Sequence, residues 1–436
     1  MKNKKNKKKD NNEISFLGKI ILFFRTQEEK HQITRLPKKI VQKQKDEAGY
    51  RSAESSAEAK ISYGFGMTRI CALTVLCIFL AVVLLFGGSI MSYENVYYMF
   101  KDISYISTFS ETRPETLSYS RSIGNQAFAS FKNGLAVAGD SEIKLFTSTG
   151  RVTMSAGSEY TNPQICTSDS HILIYDQGSN SFSIYNSFIC VYSETLDYPI
   201  SYASMSDNGS FLIVTKSSEY RSAVRIYNSR FKLEFEYLKN DLVISGELSA
   251  SGKHAAILSL EAEGGDGKAT LAVLDVGKNA VKSSVSVSSI MPYNAVFTTE
   301  NRIALVGSEG FYVYDLNGNA KSTFNYPSRL MKMAYANGGI ALLLDQNGSS
   351  AENLLLIFDN NGHLKLTLKI GGSVSDVKMN EKYVYLLCDD KIIRVDSTFG
   401  HTSAVGFSEE DARLTLLSGG ELLACTPSLA YYVSFN

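Results

Sequence analysis

The sequence is poor in the residues that most often carry chemistry. Its 436 residues include five histidines, six cysteines, seven prolines and no tryptophan. No nucleophile signature, cofactor motif or pair of closely spaced metal ligands is present. The lack of tryptophan also excludes repeat motifs that depend on that residue. We therefore predict no catalytic residues, no cofactor and no metal site.

Long apolar runs are rare as well, and the exception is Ile70 to Met91. These 22 residues contain no charge. As a helix they would extend about 33 Å, which exceeds the roughly 30 Å thickness of a bilayer's hydrocarbon core. The pattern predicts a transmembrane helix within residues 67–91. A cleaved signal peptide is the alternative, but both its basic and its apolar regions would be much shorter.

Charge is distributed unequally around this run, although the net charge of the chain is zero. Residues 1–69 hold 17 Lys and Arg against 8 Asp and Glu, whereas the remainder holds 27 against 36. Basic residues beside a span remain in the cytoplasm. We therefore predict a single-pass cell-membrane protein with its N-terminus in the cytoplasm and its C-terminal domain outside.

Residues 1–66 are predicted to form a basic cytoplasmic tail that is largely disordered, because its Lys- and Asn-rich start cannot bury apolar surface. Within it, Glu13 to Arg25 shows an apolar half and a polar half on a helical wheel, which is typical of an amphipathic helix. This helix is too short to span and could lie on the inner leaflet or dock on a cytoplasmic partner. Residues 92–114 are a Tyr-rich connector.

From about residue 115 the chain shows short alternating strands and a repeat of 37–47 residues. Each unit contains an apolar or aromatic residue followed by Asp or Asn at a turn: Tyr185-Asn186, Tyr227-Asn228, Leu274-Asp275, Tyr314-Asp315, Phe358-Asp359 and Val395-Asp396. Units begin near Gln126, Pro163, Ser201, Gly246, Ile290, Met331, Val374 and Ala412. Spacing of this length is typical of a four-stranded propeller blade. The sequence predicts an all-β fold, a β-propeller over residues 115–436 with eight blades, or seven if one unit is a long loop.

The eighth unit ends one strand short. Thr116–Arg121 precedes the first complete unit in the way that an outer strand would, so we expect it to complete the last blade. Pairing of the two chain ends would leave no exposed sheet edge at the point of closure.

Four cysteines lie in this region and would permit two disulfides. Cys166 and Cys190 fall on the inner and outer strands of one unit, whereas Cys388 and Cys425 fall on second strands of neighbouring units. Both separations exceed the roughly 7 Å Cα distance that a disulfide tolerates. We predict free thiols.

The Asn- and Asp-Gly clusters at Asp315–Asn319, Asp345–Gly348 and Asp359–Gly362 are short for calcium loops and lack the terminal bidentate Glu. They are typical of hairpin turns. His171, His254, His363 and His401 are well separated, with His254 placed in a turn, so we interpret all four as loop residues.

None of the propeller motifs that contain tryptophan is matched. With its Lys-rich tail, single span and repeats such as GIALLLDQ and NLLLIFDNNGHLKLTL, the chain resembles an uncharacterised family of single-span proteins from Firmicute-type bacteria. The outer part of that family looks like a β-propeller. The resemblance covers roughly residues 65–436 and implies architecture and location, without an activity or site residues.

These observations predict a binding or scaffolding module of the cell envelope, with an envelope protein or glycan as partner and no nucleic acid. A transmembrane sensor that signals through Glu13–Arg25 is one alternative. A glycan-active enzyme is another, and carboxylates gathered at the propeller axis would favour it.

Overall fold

A computed structural model describes residues 68–77, 114–261, 268–287, 291–336, 339–346 and 352–435. The chain divides into two units, Met1–Thr108 and Phe109–Asn436. In the first unit, residues 68–77 are helical. No helix in the described ranges is long and apolar enough to cross a membrane. The predicted tail, its helix Glu13–Arg25, residues 78–91 of the predicted span and nearly all of the connector lie outside the described residues.

The second unit is an all-β propeller of eight blades, each a four-stranded antiparallel sheet. This confirms the predicted fold with eight blades rather than seven. In seven blades the strands follow the chain from the inner to the outer position. In the eighth, the outer strand comes from the beginning of the propeller.

The strands have the following bounds, from inner to outer in each blade. The outer strand of blade 8 is β1 (Thr116–Ser118). Blade 1 contains β2 (Ala127–Phe131), β3 (Gly134–Ala138), β4 (Glu142–Phe146) and β5 (Val152–Gly157). Blade 2 contains β6 (Pro163–Thr167), β7 (Ile172–Asp176), β8 (Ser181–Tyr185) and β9 (Cys190–Thr195). Blade 3 contains β10 (Ile200–Met205), β11 (Phe211–Thr215), β12 (Ser222–Tyr227) and β13 (Leu233–Lys239). Blade 4 contains β14 (Leu242–Leu248), β15 (His254–Glu261), β16 (Lys268–Asp275) and β17 (Ala280–Val287), with a 3₁₀ helix (Val276–Lys278) before β17.

The remaining blades repeat this order. Blade 5 contains β18 (Pro292–Thr299), β19 (Arg302–Gly307), β20 (Gly310–Asp315) and β21 (Ala320–Asn325). Blade 6 contains β22 (Arg329–Ala336), β23 (Gly339–Asp345), β24 (Glu352–Phe358) and β25 (Leu364–Gly371). Blade 7 contains β26 (Val374–Met379), β27 (Tyr383–Cys388), β28 (Lys391–Asp396) and β29 (Thr402–Gly406). Blade 8 is completed by β30 (Arg413–Leu416), β31 (Leu422–Cys425) and β32 (Leu429–Val433).

The second strand of a blade is the most apolar because neighbouring blades cover both of its faces. β3 (GLAVA), β7 (ILIYD) and β11 (FLIVT) are buried at every position. Outer strands such as β13 alternate between exposed and half-buried residues, since one face meets solvent. Continuous apolar runs in the sequence therefore indicate second strands, and alternating runs indicate outer strands, which lie farther from the axis.

The repeated Asp or Asn caps the turn between the third and fourth strands. Asp315 Oδ1 accepts hydrogen bonds from the backbone N–H groups of Asn317 and Asn319, both at 2.9 Å. Asp359 Oδ1 does the same for Asn361 and His363. Gly318, between these donors, has φ +82°, a value that glycine adopts without strain. Hairpin turns are confirmed at both clusters; residues 347–348 of the third cluster are outside the described ranges.

The first and last strands of the propeller pair and close the ring, as predicted. β1 pairs with β32 through Thr116 opposite Tyr431 and Ser118 opposite Leu429. The strand ends at Ser118 rather than at Arg121. The next residue, Tyr119, is buried, and its hydroxyl lies 2.7 Å from the Thr426 carbonyl oxygen and 2.8 Å from that of Leu429.

The predicted blade starts agree with the inner strands, with the largest difference in blade 4. There β14 begins at Leu242 rather than near Gly246. A register shift between Val243 and Ser245 interrupts the alternation of inward- and outward-facing residues. The first residues of β14 therefore lack the sequence pattern of a regular strand. The cysteines are free, as predicted.

Candidate binding site at the propeller axis

The repeated strand order gives the propeller two distinct faces. One, here called the crossover face, carries the connections from an outer strand to the next inner strand. The other, the hairpin face, carries the turns between the first and second strands and between the third and fourth. Because every inner strand runs from the crossover face to the hairpin face, the first residues of these strands surround one axial opening and their last residues surround the other.

Three inner strands meet at a carboxyl group near the hairpin end of the axis. Glu247 of β14 accepts a hydrogen bond from the Phe297 N–H of β18 (3.1 Å to Oε2). Its other oxygen lies 3.3 Å from the hydroxyl of Tyr335, which comes from β22 two blades away. Tyr335 remains 41% exposed, so solvent can reach this pair along the axis.

Burial raises the pKa of Glu247 to about 8, and the charge of Asp207 adds to this effect. The hydrogen bonds from Phe297 and Tyr335 act in the opposite direction but are outweighed. Glu247 is therefore mostly protonated at neutral pH. In that form the carboxyl can donate a hydrogen bond or act as an acid, and it becomes an anion only in mildly alkaline solution.

Two further side chains close to Glu247 are also held in their neutral forms. Burial and the charge of Glu247 raise the pKa of the Cys166 thiol to about 12. Burial raises the pKa of Tyr202 as well. A reactive cysteine needs a pKa below its ordinary value, so Cys166 is not an activated nucleophile.

The turns at the hairpin end of the axis carry both signs of charge, with lysines in the turns after β2, β14 and β26 and carboxylates in three others. Asp169, Asp207 and Glu300 lie in the turns after three inner strands. Burial raises the pKa of Asp207, and the negative charges of Asp169 and Glu300 raise it further by smaller amounts. Glu300 is fixed in place because Ser251 donates both its backbone N–H and its hydroxyl to the carboxylate.

The crossover end of the axis carries exposed apolar side chains and arginines, and its connections also carry the exposed carboxylates of Glu159, Asp197, Glu409, Glu410 and Asp411. We call six of the exposed apolar and arginine side chains the rim: Ile123, Leu242, Met291, Tyr293, Arg329 and Arg413. Leu242, Met291 and Tyr293 are 49%, 51% and 45% exposed, and Ile123 is fully exposed. All six are the first or second residue of an inner strand or lie in the connection that leads into one.

The histidines do not form a site. His363 and His401 lie in exposed loops, as predicted. His254 is the first residue of β15 rather than a turn residue, and its Nδ1 is buried without a hydrogen-bond partner. The His171 ring packs edge-on against Phe231, and burial lowers its pKa. Within the described ranges no group of three or more His, Cys, Asp or Glu could hold a metal ion.

Residues 107–415, which are more than half of the chain, match the family of unknown function DUF5711. The chain belongs to this family. The DUF5711 match includes all four strands of blades 1–7, the closing strand β1 and the first three residues of β30, the inner strand of blade 8. A search of curated proteins gave no match.

The comparison with solved structures gave several matches. BamB from Moraxella catarrhalis is 12% identical, with a TM-score of 0.50 over 73% of this chain and 98% of that one. The Pan2 WD40 domain of Neurospora crassa is 9% identical, with a TM-score of 0.45 over 62% and 88%. A chain of the mitotic checkpoint complex is 12% identical, with a TM-score of 0.47 over 76% and 94%. The first likeness concerns the fold alone, and we draw nothing from the other two.

The sequence predicted no site residues, so both ends of the axis were missed. Glu247 and Tyr335 are 88 residues apart, and they meet only because blades 4 and 6 flank blade 5. One signal was available: Glu247 follows a Val-Ile-Ser-Gly run on a predicted inner strand, where an isolated carboxylate is unusual.

Proposed function

We propose that this protein is a membrane-anchored propeller that binds a protein of the cell envelope through the rim. The exposed rim is the observation that carries the proposal. Tyr, Met and Arg are enriched in protein interfaces, and they occur here beside Ile and Leu around one opening. Large apolar side chains that gather on a surface mark an interaction site more often than isolated ones do.

The rest of the proposal concerns location. Ile70–Met91 would anchor the chain, with the basic tail in the cytoplasm and the propeller outside. Support comes from the length of the uncharged run and from the excess of Lys and Arg before it. Glu13–Arg25 would lie against the inner leaflet.

The binding proposal is tested by purifying the tagged full-length chain from cells and quantifying the proteins that accompany it. In one variant, Met291→Asp and Tyr293→Asp are combined, which places two charges in the rim. The matched control is Leu364→Asp, which alters a residue of similar exposure on the hairpin face. A partner should accompany the wild type and the control and should be lost from the rim variant. Equal recovery with all three chains would refute the role of the rim.

A glycan-active enzyme is the second candidate, and Glu247 is the observation that favours it. A carboxyl group with a pKa of about 8 is protonated at neutral pH, as the general acid of a glycosidase must be. The test is the release of reducing ends from envelope polysaccharide by the full-length chain. Release that is abolished by Glu247→Gln would support this candidate, and no release by the wild type would eliminate it.

A further inference from the structure

A pocket of about 460 Å³ opens on the crossover face where the ring closes. We call it the closure pocket. It is bounded by the connection from β1 to β2, the approach to β30, one residue of β26 and the turn after β31. Its walls include Arg121, Ile123, Ser375, Asp411, Arg413 and Pro427. Two of these residues, Ile123 and Arg413, also belong to the rim.

The charges in this pocket are not balanced by ion pairs. The guanidinium of Arg121 has no hydrogen bond or ion pair within the described part of the chain, and the side chain is exposed. Arg413 donates one hydrogen bond to the Gln126 carbonyl oxygen, at 3.3 Å, and forms no ion pair there either. Two guanidinium groups therefore line the pocket with one carboxylate, that of Asp411. A second carboxylate, that of Asp140, lies behind the wall and accepts hydrogen bonds from the Ile123 and Gly124 N–H groups.

An unpaired guanidinium presents a planar set of N–H donors that matches the oxygens of a carboxylate or a phosphate. Two such groups on the wall of one pocket both attract an oxyanion. Because both side chains are exposed, this attraction should weaken as the salt concentration rises. The neighbouring exposed side chain of Ile123 offers apolar contact to whatever carries the anion.

We propose that the closure pocket binds an oxyanion, either a carboxylate or a phosphate, that the partner presents as it docks on the rim. The idea that a partner supplies this anion rests on the proposed function. The anion site itself does not, because the binding of a free ion can be measured in the absence of any partner.

Asp411 sets the strength of this site. Its carboxylate lies in the same pocket and opposes the approach of an anion. Its backbone has φ +54°, a left-handed conformation that few residues other than Gly, Asn and Asp adopt readily. Asp411→Asn should therefore keep the local fold and remove the negative charge, so that anions bind more tightly.

The experiment measures thermal unfolding of the purified full-length chain with increasing inorganic phosphate, malonate or, at matched ionic strength, sodium chloride. A ligand that binds the folded state raises the unfolding temperature in a saturable manner. Phosphate or malonate should do so with the wild type, and the stronger of the two identifies the type of oxyanion. Arg121→Gln should weaken the apparent affinity by about tenfold or more. Asp411→Asn should strengthen it.

Arg230→Gln is the matched control, since Arg230 is also exposed and lies in a turn of the hairpin face. Its affinity for the anion should equal that of the wild type. General salt effects on stability act on all variants alike, so they are separated from site binding. Because Arg121 forms no hydrogen bond or ion pair with the described residues that could be lost, Arg121→Gln should remain folded, and circular dichroism at low temperature verifies this.

Three results would overturn the proposal. The first is the absence of any saturable shift with phosphate and malonate, and the second is an equal shift in the wild type and Arg121→Gln. The third is an equal loss of affinity in Arg121→Gln and Arg230→Gln, because the effect would then reflect overall charge. Anion binding without recovery of a protein partner would support the anion site and refute the proposed function. Recovery of a partner without anion binding would support the proposed function and refute the anion site.

Discussion

The carboxyl group at the axis should make the stability of the propeller depend on pH in a direction that is unusual for a glutamate. Burial raises the pKa of Glu247 from its ordinary 4.5 to about 8. Between these two values the folded chain holds a proton that the unfolded chain has released. The free energy of unfolding therefore decreases as the pH rises from about 4.5 to about 8, and it is constant with respect to this group above that range.

The size of the effect follows from the same values. Each pKa unit corresponds to about 1.36 kcal/mol, so complete deprotonation costs the folded state on the order of 3–5 kcal/mol. Glu247→Gln removes this cost. The amide oxygen can still accept the hydrogen bond from the Phe297 N–H, and the amide nitrogen can donate to the Tyr335 hydroxyl. The variant should match the wild type near pH 5 and exceed it by several kcal/mol at pH 9.

The assay is chemical unfolding of the full-length chain, followed by circular dichroism at several pH values between 5 and 9. Glu219→Gln serves as the control, because Glu219 is exposed in the turn between β11 and β12. Its unfolding should follow the pH profile of the wild type. Parallel profiles for the wild type and Glu247→Gln would refute the reasoning, since Glu247 would then titrate as it does in the unfolded chain.

Three further substitutions test the fold. Tyr119→Phe should destabilise the closed ring by about 1–3 kcal/mol in chemical unfolding, because it removes the hydroxyl proton that the carbonyl oxygens of Thr426 and Leu429 share, whereas Tyr198→Phe should have little effect. Gly134→Ala should lower the unfolding temperature strongly, since a Cβ there would collide with the Phe146 carbonyl oxygen, while Gly157→Ala meets nothing within 4 Å and should be tolerated. Asp359→Ala should cost about 1 kcal/mol at neutral pH. Burial acts to raise the pKa of Asp359, but its hydrogen bonds lower it overall. The cost should therefore disappear as acid protonates this carboxylate, whereas Asp359→Asn should be nearly neutral.

The blades could be predicted because their signals are local. A second strand such as β11 must be apolar at every position, since neighbouring blades bury both of its faces. A turn such as that at Asp315 needs an oxygen acceptor for two backbone N–H groups and a glycine with positive φ. Both requirements recur in each blade, about every 40 residues. They can therefore be recognised from the sequence repeat without any knowledge of long-range contacts.

The axial site could not be predicted because it depends on register shifts and on distances around the ring. Shifts between Val243 and Ser245 and between Leu330 and Lys332 change which later residues of β14 and β22 share a face. Strict alternation along the sequence would therefore misplace Glu247 and Tyr335. Part of the closure pocket could have been predicted from the sequence. The predicted closing strand already placed Arg121 in the same blade as the start of the eighth unit.

The central claim is that the rim binds a protein partner, and site-specific photo-crosslinking in living cells tests it most directly. A photoreactive phenylalanine analogue replaces Tyr293 in the rim of the full-length chain. In a second chain it replaces Phe399, which is 74% exposed in a turn of the hairpin face. The account predicts a discrete crosslinked species from position 293 and none from position 399. A crosslink from position 399 with none from position 293 would contradict it.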